Sequence, residues 1–340
     1  MIILLNMEQK TKFNWSIIGH KNIINFLESS IKNNRISHAY LFYGPAHVGK
    51  TTVALKFVSF LLGRDLSSLS NHPDIYWVRR EKDEKSGKSQ KNISIKQIRE
   101  LEQKLSLSSF LNSYKIAIIE EAETLSREAC DSLLKTLEEP KDKTVIILIA
   151  ANIGSLPQTI ASRCQILKFL SVSRSEIFEF LISRKAEREI AQKLSSLAQG
   201  RPGTVFKFLK DFEESPSASL SFKIYQEKVD GLIDIVNSSS FVQKLEVIER
   251  LVPKTREENT APWKEILNIW TLILRDLLLM KSNCEPLISH RIFEEKLNAV
   301  MPKFNTARLI KLIEEVKKTQ EYIALNINFK LALENLILNF

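Results

Sequence analysis

Cysteine is scarce: Cys130, Cys164 and Cys284 are the only three in 340 residues, widely spaced and without a CxxC pair. An odd, scattered set of this kind argues against a disulfide framework and against a cysteine zinc site. Glycine and proline are also few, 9 and 10. That excludes collagen-like and low-complexity chains and tilts the composition towards helix. No apolar run reaches the roughly 18 residues of a membrane helix. The longest, 144–151 and 269–280, fall short, and the second is interrupted by Arg275 and Asp276. An apolar stub at 1–5 gives way to Asn6 and Glu8. It is too short for a secretion signal, and Met7 is an alternative initiator. These absences place the chain in the cytoplasm. An acidic excess is lacking too: 49 basic against 40 acidic side chains leave +9, which permits attraction to nucleic acid or an acidic partner without requiring it.

What is present is a chain 44% apolar and 26% charged, long enough for two or three domains. Ile23, Ile24, Leu27 and Ile31 recur at helical spacing, and an apolar strand follows at 38–43. Beyond a glycine loop, Val53, Ala54, Phe57, Val58 and Leu61 mark a second helix. Further strands are expected at 75–78, 114–119, 145–150 and 166–169. Helices are expected at 93–107 and at 128–139, where Pro140 stops the pattern and Cys130, Leu133, Leu134 and Leu137 form a core-packing face. Continuous apolar strands alternating with helices imply a parallel sheet covered by helices on both faces. The polar stretch 79–92 reads as a solvated loop. After about residue 170 the strands stop. Short amphipathic helices at 173–184, 187–197 and 205–212 suggest a small helical lid, and from about 216 only helical patterns remain.

The strongest chemical signal is Gly44-Pro45-Ala46-His47-Val48-Gly49-Lys50-Thr51, which fits G-x-x-x-x-G-K-[ST] at every fixed position between a predicted strand and a predicted helix. The glycines let backbone amides face phosphate oxygens, the lysine reaches the terminal phosphates and the threonine hydroxyl can ligate Mg²⁺. Gly44, Gly49, Lys50, Thr51 and Thr52 are therefore the candidate residues for ATP or ADP. The alternative is a loop retained without a ligand. His47, at a variable position, is given no role.

A P-loop site also needs acidic groups at the end of a neighbouring strand. Here the run Ile116-Ala117-Ile118-Ile119 enters Glu120-Glu121. Glu120, with Thr51, is the candidate Mg²⁺ ligand, and Glu121 the candidate for polarising water. Glutamate is one methylene longer than the usual aspartate and displaces or crowds a metal, so weak or absent hydrolysis is expected. The plainer reading makes both glutamates solvated strand-end charges. Asn152, after the third buried strand, is either a phosphate sensor or a cap on its own loop. Arg163, in Ser162-Arg163-Cys164, suits an arginine finger acting in trans on a neighbour's phosphates, or an ordinary surface ion pair.

Taken together, several segments resemble the bacterial clamp-loader AAA+ subunits of DNA polymerase III over residues 13–169. These are Phe13 with Ile17-Ile18-Gly19-His20, the run Arg35-Ile36-Ser37-His38-Ala39-Tyr40-Leu41-Phe42, the P-loop, His72-Pro73-Asp74, Leu133-Leu134-Lys135-Thr136-Leu137-Glu138-Glu139-Pro140 and Ser162-Arg163-Cys164. The resemblance implies an α/β AAA+ P-loop nucleotide-binding domain over 1–169, a helical lid over 170–215 and an all-α C-terminal collar over 216–340. It implies gamma/tau and delta partners in a hetero-pentamer, an indirect action on the sliding clamp, and contact with primed DNA without sequence reading. Two departures, Glu120-Glu121 for an Asp-Glu pair and Gly203, or its neighbour Arg201, at the place where the family's motors carry a lid arginine, favour the delta-prime stator over the gamma/tau motor when Gly203 holds that place. Arg163 would be its donated finger. Many relatives carry a four-cysteine zinc module, but no cysteine lies between Lys50 and Cys130, so no zinc is expected.

Overall fold

The computed structural model describes residues 13–81, 90, 92–107, 109, 113–206, 208, 220–251, 261–325 and 329–340. The stub at 1–5, most of the polar stretch 79–92, the latter part of the helix expected at 205–212 and the start of the C-terminal region at 216 lie outside them. The chain forms two compact units, one of residues 1–177 with 200–203, the other of 178–199 with 204–340. The 170–215 segment is thus shared between them.

In the first unit, α1 (Lys21–Lys32) leads into β1 (Ala39–Tyr43), and α2 (Lys50–Leu62) follows the glycine loop. A short α3 (Leu66–Leu69) precedes β2 (Ile75–Val78), then come α4 (Ile95–Ser106), β3 (Lys115–Ile119), α5 (Arg127–Glu138), β4 (Thr144–Ala150), α6 (Gln158–Ala161) and β5 (Gln165–Lys168); the next helix, α7 (Arg174–Ser183), starts in this unit and continues into the second after residue 177. The strands make one sheet in the order β2-β3-β4-β1-β5, and every pairing is parallel.

The pleat sorts the strand residues between two cores. Ala117, Ile119, Ile146 and Leu148 face Ile98 and Leu101 of α4 and Leu133 and Leu137 of α5, with Cys130 among them as expected. Ile116, Ile118, Val145, Ile147 and Ile149 face Val53, Phe57 and Val58 of α2. Strands β3 and β4 are buried along their whole length, which is why they read as unbroken apolar runs. The segment around Ile166 does not behave as that reading expects. β5 is the outermost strand, and Gln165, Ile166 and Lys168 are exposed, because a strand at the rim is partnered and covered on one side only. Helix α4 starts at a capping box of Ser94 and Gln97, and Ser126 caps α5 through the Ala129 amide. These polar signals turn the chain back onto the sheet.

The second unit is helical, as anticipated. It contains α8 (Arg188–Leu197), α9 (Leu220–Asn237), α10 (Phe241–Leu251), α11 (Ala261–Lys281), α12 (Glu294–Val300), α13 (Thr306–Ala324) and α14 (Phe329–Leu338). α11 packs on α13 around the fully buried Trp270. The Trp270 indole N–H donates to the Lys228 carbonyl at 3.0 Å, and Phe340 docks edge-on against its ring. Asp276, also fully buried, accepts from the Ser289 and His290 amides at 3.0 and 2.8 Å and from His290 Nδ1 at 2.7 Å. His290 Nε2 meets the Tyr225 hydroxyl at 2.6 Å. Burial, reinforced by the Asp276 and Glu265 charges, pushes the Tyr225 phenol upward. No helix among the described residues is long and apolar enough to cross a membrane.

Candidate nucleotide-binding site

In a parallel sheet all strands end on the same edge, and ligands bind in the crevice there. That edge carries the P-loop after β1, Arg79 and Arg80 after β2, Glu120 and Glu121 after β3, and Ala151 after β4. Together they line a cleft of about 730 Å³ that also contains Gly49, Lys50, Thr51, Thr52, Glu123 and Gly203.

The P-loop's backbone explains its glycines. Gly44 has φ 147°, and a Cβ there would lie 2.1 Å from the Phe169 carbonyl oxygen. Gly49, at φ 108°, opens α2, whose first amides have no partner within the helix and point at the cleft. His47 takes φ 64°. From outside the loop, His20 Nε2–H donates to the Val48 carbonyl at 2.9 Å, and the ring packs edge-on against Phe169. Burial holds the His20 imidazole below its ordinary pKa, opposed by the Val48 carbonyl and by the Glu176 charge. His20 thus appears in the structure as a brace for the loop, a role its place in the Ile17-Ile18-Gly19-His20 run did not reveal.

Lys50 is nearly buried. Its ammonium donates to the Gly44 and Pro45 carbonyls at 2.5 and 2.7 Å, which leaves one of its three donors uncommitted. Burial lowers its pKa, and the Glu123 charge works against that fall. Glu123, absent from the sequence reading, accepts from the Ala151 amide through Oε1 at 3.2 Å.

Thr51 and Glu120 do come together: the Thr51 hydroxyl donates to Glu120 Oε1 at 3.4 Å. Glu120's other oxygen is paired with Arg79 Nε at 2.6 Å, and Glu121 Oε2 is paired with Arg80 Nε at 2.5 Å. The register explains the match. Val78 lies opposite Ile119 on neighbouring parallel strands, so the next two residues of each strand, Arg79-Arg80 and Glu120-Glu121, fall side by side. Arg79 is held further by its guanidinium over the Trp77 ring, 4.5 Å from the centroid. The donor set therefore does not fit a bound Mg²⁺. Glu120 and Glu121 are each paired with a guanidinium, and both Glu120 oxygens already accept a hydrogen bond, while Glu123 keeps one buried oxygen, Oε2, without a partner. Both arginines lie in or beside the stretch read from sequence as a solvated loop. The signal that pointed to them, an Arg-Arg pair directly after a strand, becomes meaningful only once β2 and β3 are known to be neighbours.

Neither Asn152 nor Arg163 is among the residues that line the cleft. Asn152 Oδ1 accepts from the Gly154 amide at 3.0 Å, capping its own loop. Arg163 is partly exposed, pairs with Glu138 at 2.7 Å and donates to the Thr159 carbonyl at 2.9 Å. Burial pushes its neighbour Cys164 up to about 12. Gly203 donates its amide to the His47 carbonyl at 2.8 Å. A Cβ there would come within 2.9 Å of that oxygen.

A parallel sheet of this order, with a P-loop after β1 and acidic residues after β3, has the α/β P-loop fold of the AAA+ type, and helices follow it. Residues 19–173 match the family described as DNA polymerase III, delta subunit. A relative in Buchnera aphidicola subsp. Acyrthosiphon pisum, DNA polymerase III subunit gamma, is 26% identical over 82% of this chain and 81% of its own length. In Bacillus subtilis, DNA polymerase III subunit delta' is 29% identical over 60% of this chain and 63% of its own, so this chain spans less than two thirds of that relative. The solved DNA polymerase III gamma subunit-related protein of Thermotoga maritima aligns over 92% of this chain and 97% of its own at 17% identity, TM-score 0.49. Residues 19–173, a little under half of the chain, are thus similar to that family, and the relatives found carry the names DNA polymerase III subunit gamma, tau and delta'.

Proposed function

We propose that this chain is the delta-prime, stator-type subunit of a DNA polymerase III clamp loader. It holds a nucleotide in its own P-loop with little or no turnover and donates Arg163 to a neighbouring subunit's ATP site. The observation that carries this reading is the state of the acidic edge: Glu120 and Glu121, the groups a motor would use for metal and water, are both engaged by arginines. Gly203 against the P-loop supports it, because no cationic side chain at that position reports on phosphate. Arg163 is held by a partly exposed ion pair, which a neighbour's phosphates can outcompete, since such pairs contribute little on their own.

In this reading residues 1–169, 170–215 and 216–340 serve as nucleotide-binding part, lid and collar. The partners are gamma/tau and delta subunits in a cytoplasmic hetero-pentamer that opens the sliding clamp. Primed DNA is contacted through its backbone phosphates, because a loader acts at any primer. A gamma/tau-type ATPase motor is the second reading. It is favoured by the complete P-loop and by the gamma relative matched over most of its length.

The test is DNA-stimulated ATP hydrolysis by a loader reconstituted from this chain with motor and delta subunits, the clamp and primed DNA. Arg163→Ala is expected to lower turnover with assembly intact. A trans arginine supplies roughly 10³ to 10⁵ at its own site, diluted by the loader's other sites. Unchanged turnover overturns the stator assignment, and sustained DNA-stimulated hydrolysis by this chain alone supports the motor.

A further inference from the structure

We propose that the cleft takes its nucleoside di- or triphosphate without a divalent cation, Arg79 and Arg80 standing where the metal's positive charge would be. This rests on the reading that the P-loop binds nucleotide, and says which chemistry completes the phosphate site. Six charged side chains line the cleft, Lys50, Arg79 and Arg80 against Glu120, Glu121 and Glu123. The two arginines are locked onto the two glutamates at 2.6 and 2.5 Å. To bind at Glu120, a dication has to displace the Arg79 guanidinium, which is supported from two sides. The carboxylate grips one edge and the Trp77 ring supports its face.

The same geometry suits a phosphate directly. A guanidinium has five N–H donors in a planar fork. Only the Nε donor of each arginine is needed for its glutamate, so the terminal nitrogens remain for phosphate oxygens. The P-loop amides and Lys50 meet the phosphates from one side. Arg79 and Arg80 face them across the cleft, and the glutamates hold the guanidinia in place. A site of this kind binds and retains nucleotide, and neither carboxylate at the end of β3, Glu120 or Glu121, is free of a guanidinium to organise a metal and its water for hydrolysis.

The experiment is a calorimetric titration of the full chain with ADP and with ATP, in millimolar Mg²⁺ and again in excess EDTA, together with Arg79→Gln and Arg80→Gln. The expected result is wild-type affinity that does not fall in EDTA. Each variant, with its unfolding midpoint near the wild-type value, binds roughly tenfold to hundredfold more weakly, as loss of a charge-assisted hydrogen bond implies. Arg79→Gln alone gains affinity from Mg²⁺, because Glu120 is freed. Wild-type binding that collapses in EDTA overturns the proposal while leaving nucleotide binding in place. Absence of heat and of displacement of a fluorescent ADP under both conditions overturns the nucleotide reading itself. The wild-type comparison is decisive without any variant.

Discussion

Replacing Gly44 by alanine tests how the phosphate loop is held against the sheet. The residue closes β1, and its amide donates to the Ala150 carbonyl at 3.3 Å while Phe169 donates to Tyr43 at 2.8 Å, so the chain is clamped between β4 and β5. An added Cβ meets the Phe169 oxygen at 2.1 Å, a backbone atom that no rotamer change can move. The conformation at φ 147° costs a non-glycine residue about 1–3 kcal/mol. Forcing the strands apart adds about 1–3 kcal/mol. The sum, about 2–6 kcal/mol, corresponds to a fall in melting temperature of about 4–24 °C for a unit of this size. Gly63→Ala is the control: its φ is 59°, with no atom within 4 Å of the built Cβ, so it pays only the left-handed backbone cost of about 1–2 kcal/mol. The assays are thermal unfolding and hydrogen exchange at the Phe169 amide, which reports on the β1–β5 pairing locally. If Gly44→Ala is no more destabilising than Gly63→Ala and Phe169 keeps its protection, the contact argument is refuted.

The remaining predictions concern the loop's brace and the helical unit's buried network. His20 has a folded-state pKa below its unfolded value near 6.5, so the unfolded chain binds the extra proton and stability is lost as pH falls through about 6.5. Denaturant midpoints should therefore rise between about pH 5 and 7, by at most about 1.4 kcal/mol per pH unit from this group. His20→Gln should flatten part of that slope, and an unchanged slope counts against the brace. Asp276→Ala strands the His290 imidazole and two amides in a sealed core, and should cost about 3–5 kcal/mol in urea unfolding. Tyr225→Phe removes one hydrogen bond and should cost about 1–3 kcal/mol. The reverse ranking would place the weight of the network on the phenol.

Much of this molecule was legible before folding. The unbroken apolar runs of β3 and β4 announced strands buried on both faces, and the P-loop declared itself because a strand, two glycines, a lysine and a helix follow one another without interruption. Cys130 read as core for the same local reason. Such features depend on residues near each other in sequence, where spacing alone determines geometry.

What the sequence by itself determined, then, is the parallel α/β domain with its P-loop between strand and helix, and the helical remainder. Only the tertiary structure decided what surrounds them. Pairing β2 with β3 set Arg79 and Arg80 against Glu120 and Glu121. Placing β5 at the rim exposed Ile166. Packing α9, α11 and the 288–293 turn together buried Asp276 with His290 and Tyr225. Each of these joins residues distant in the chain, and charges that look solvated one by one change their chemistry when strand order and register make them neighbours.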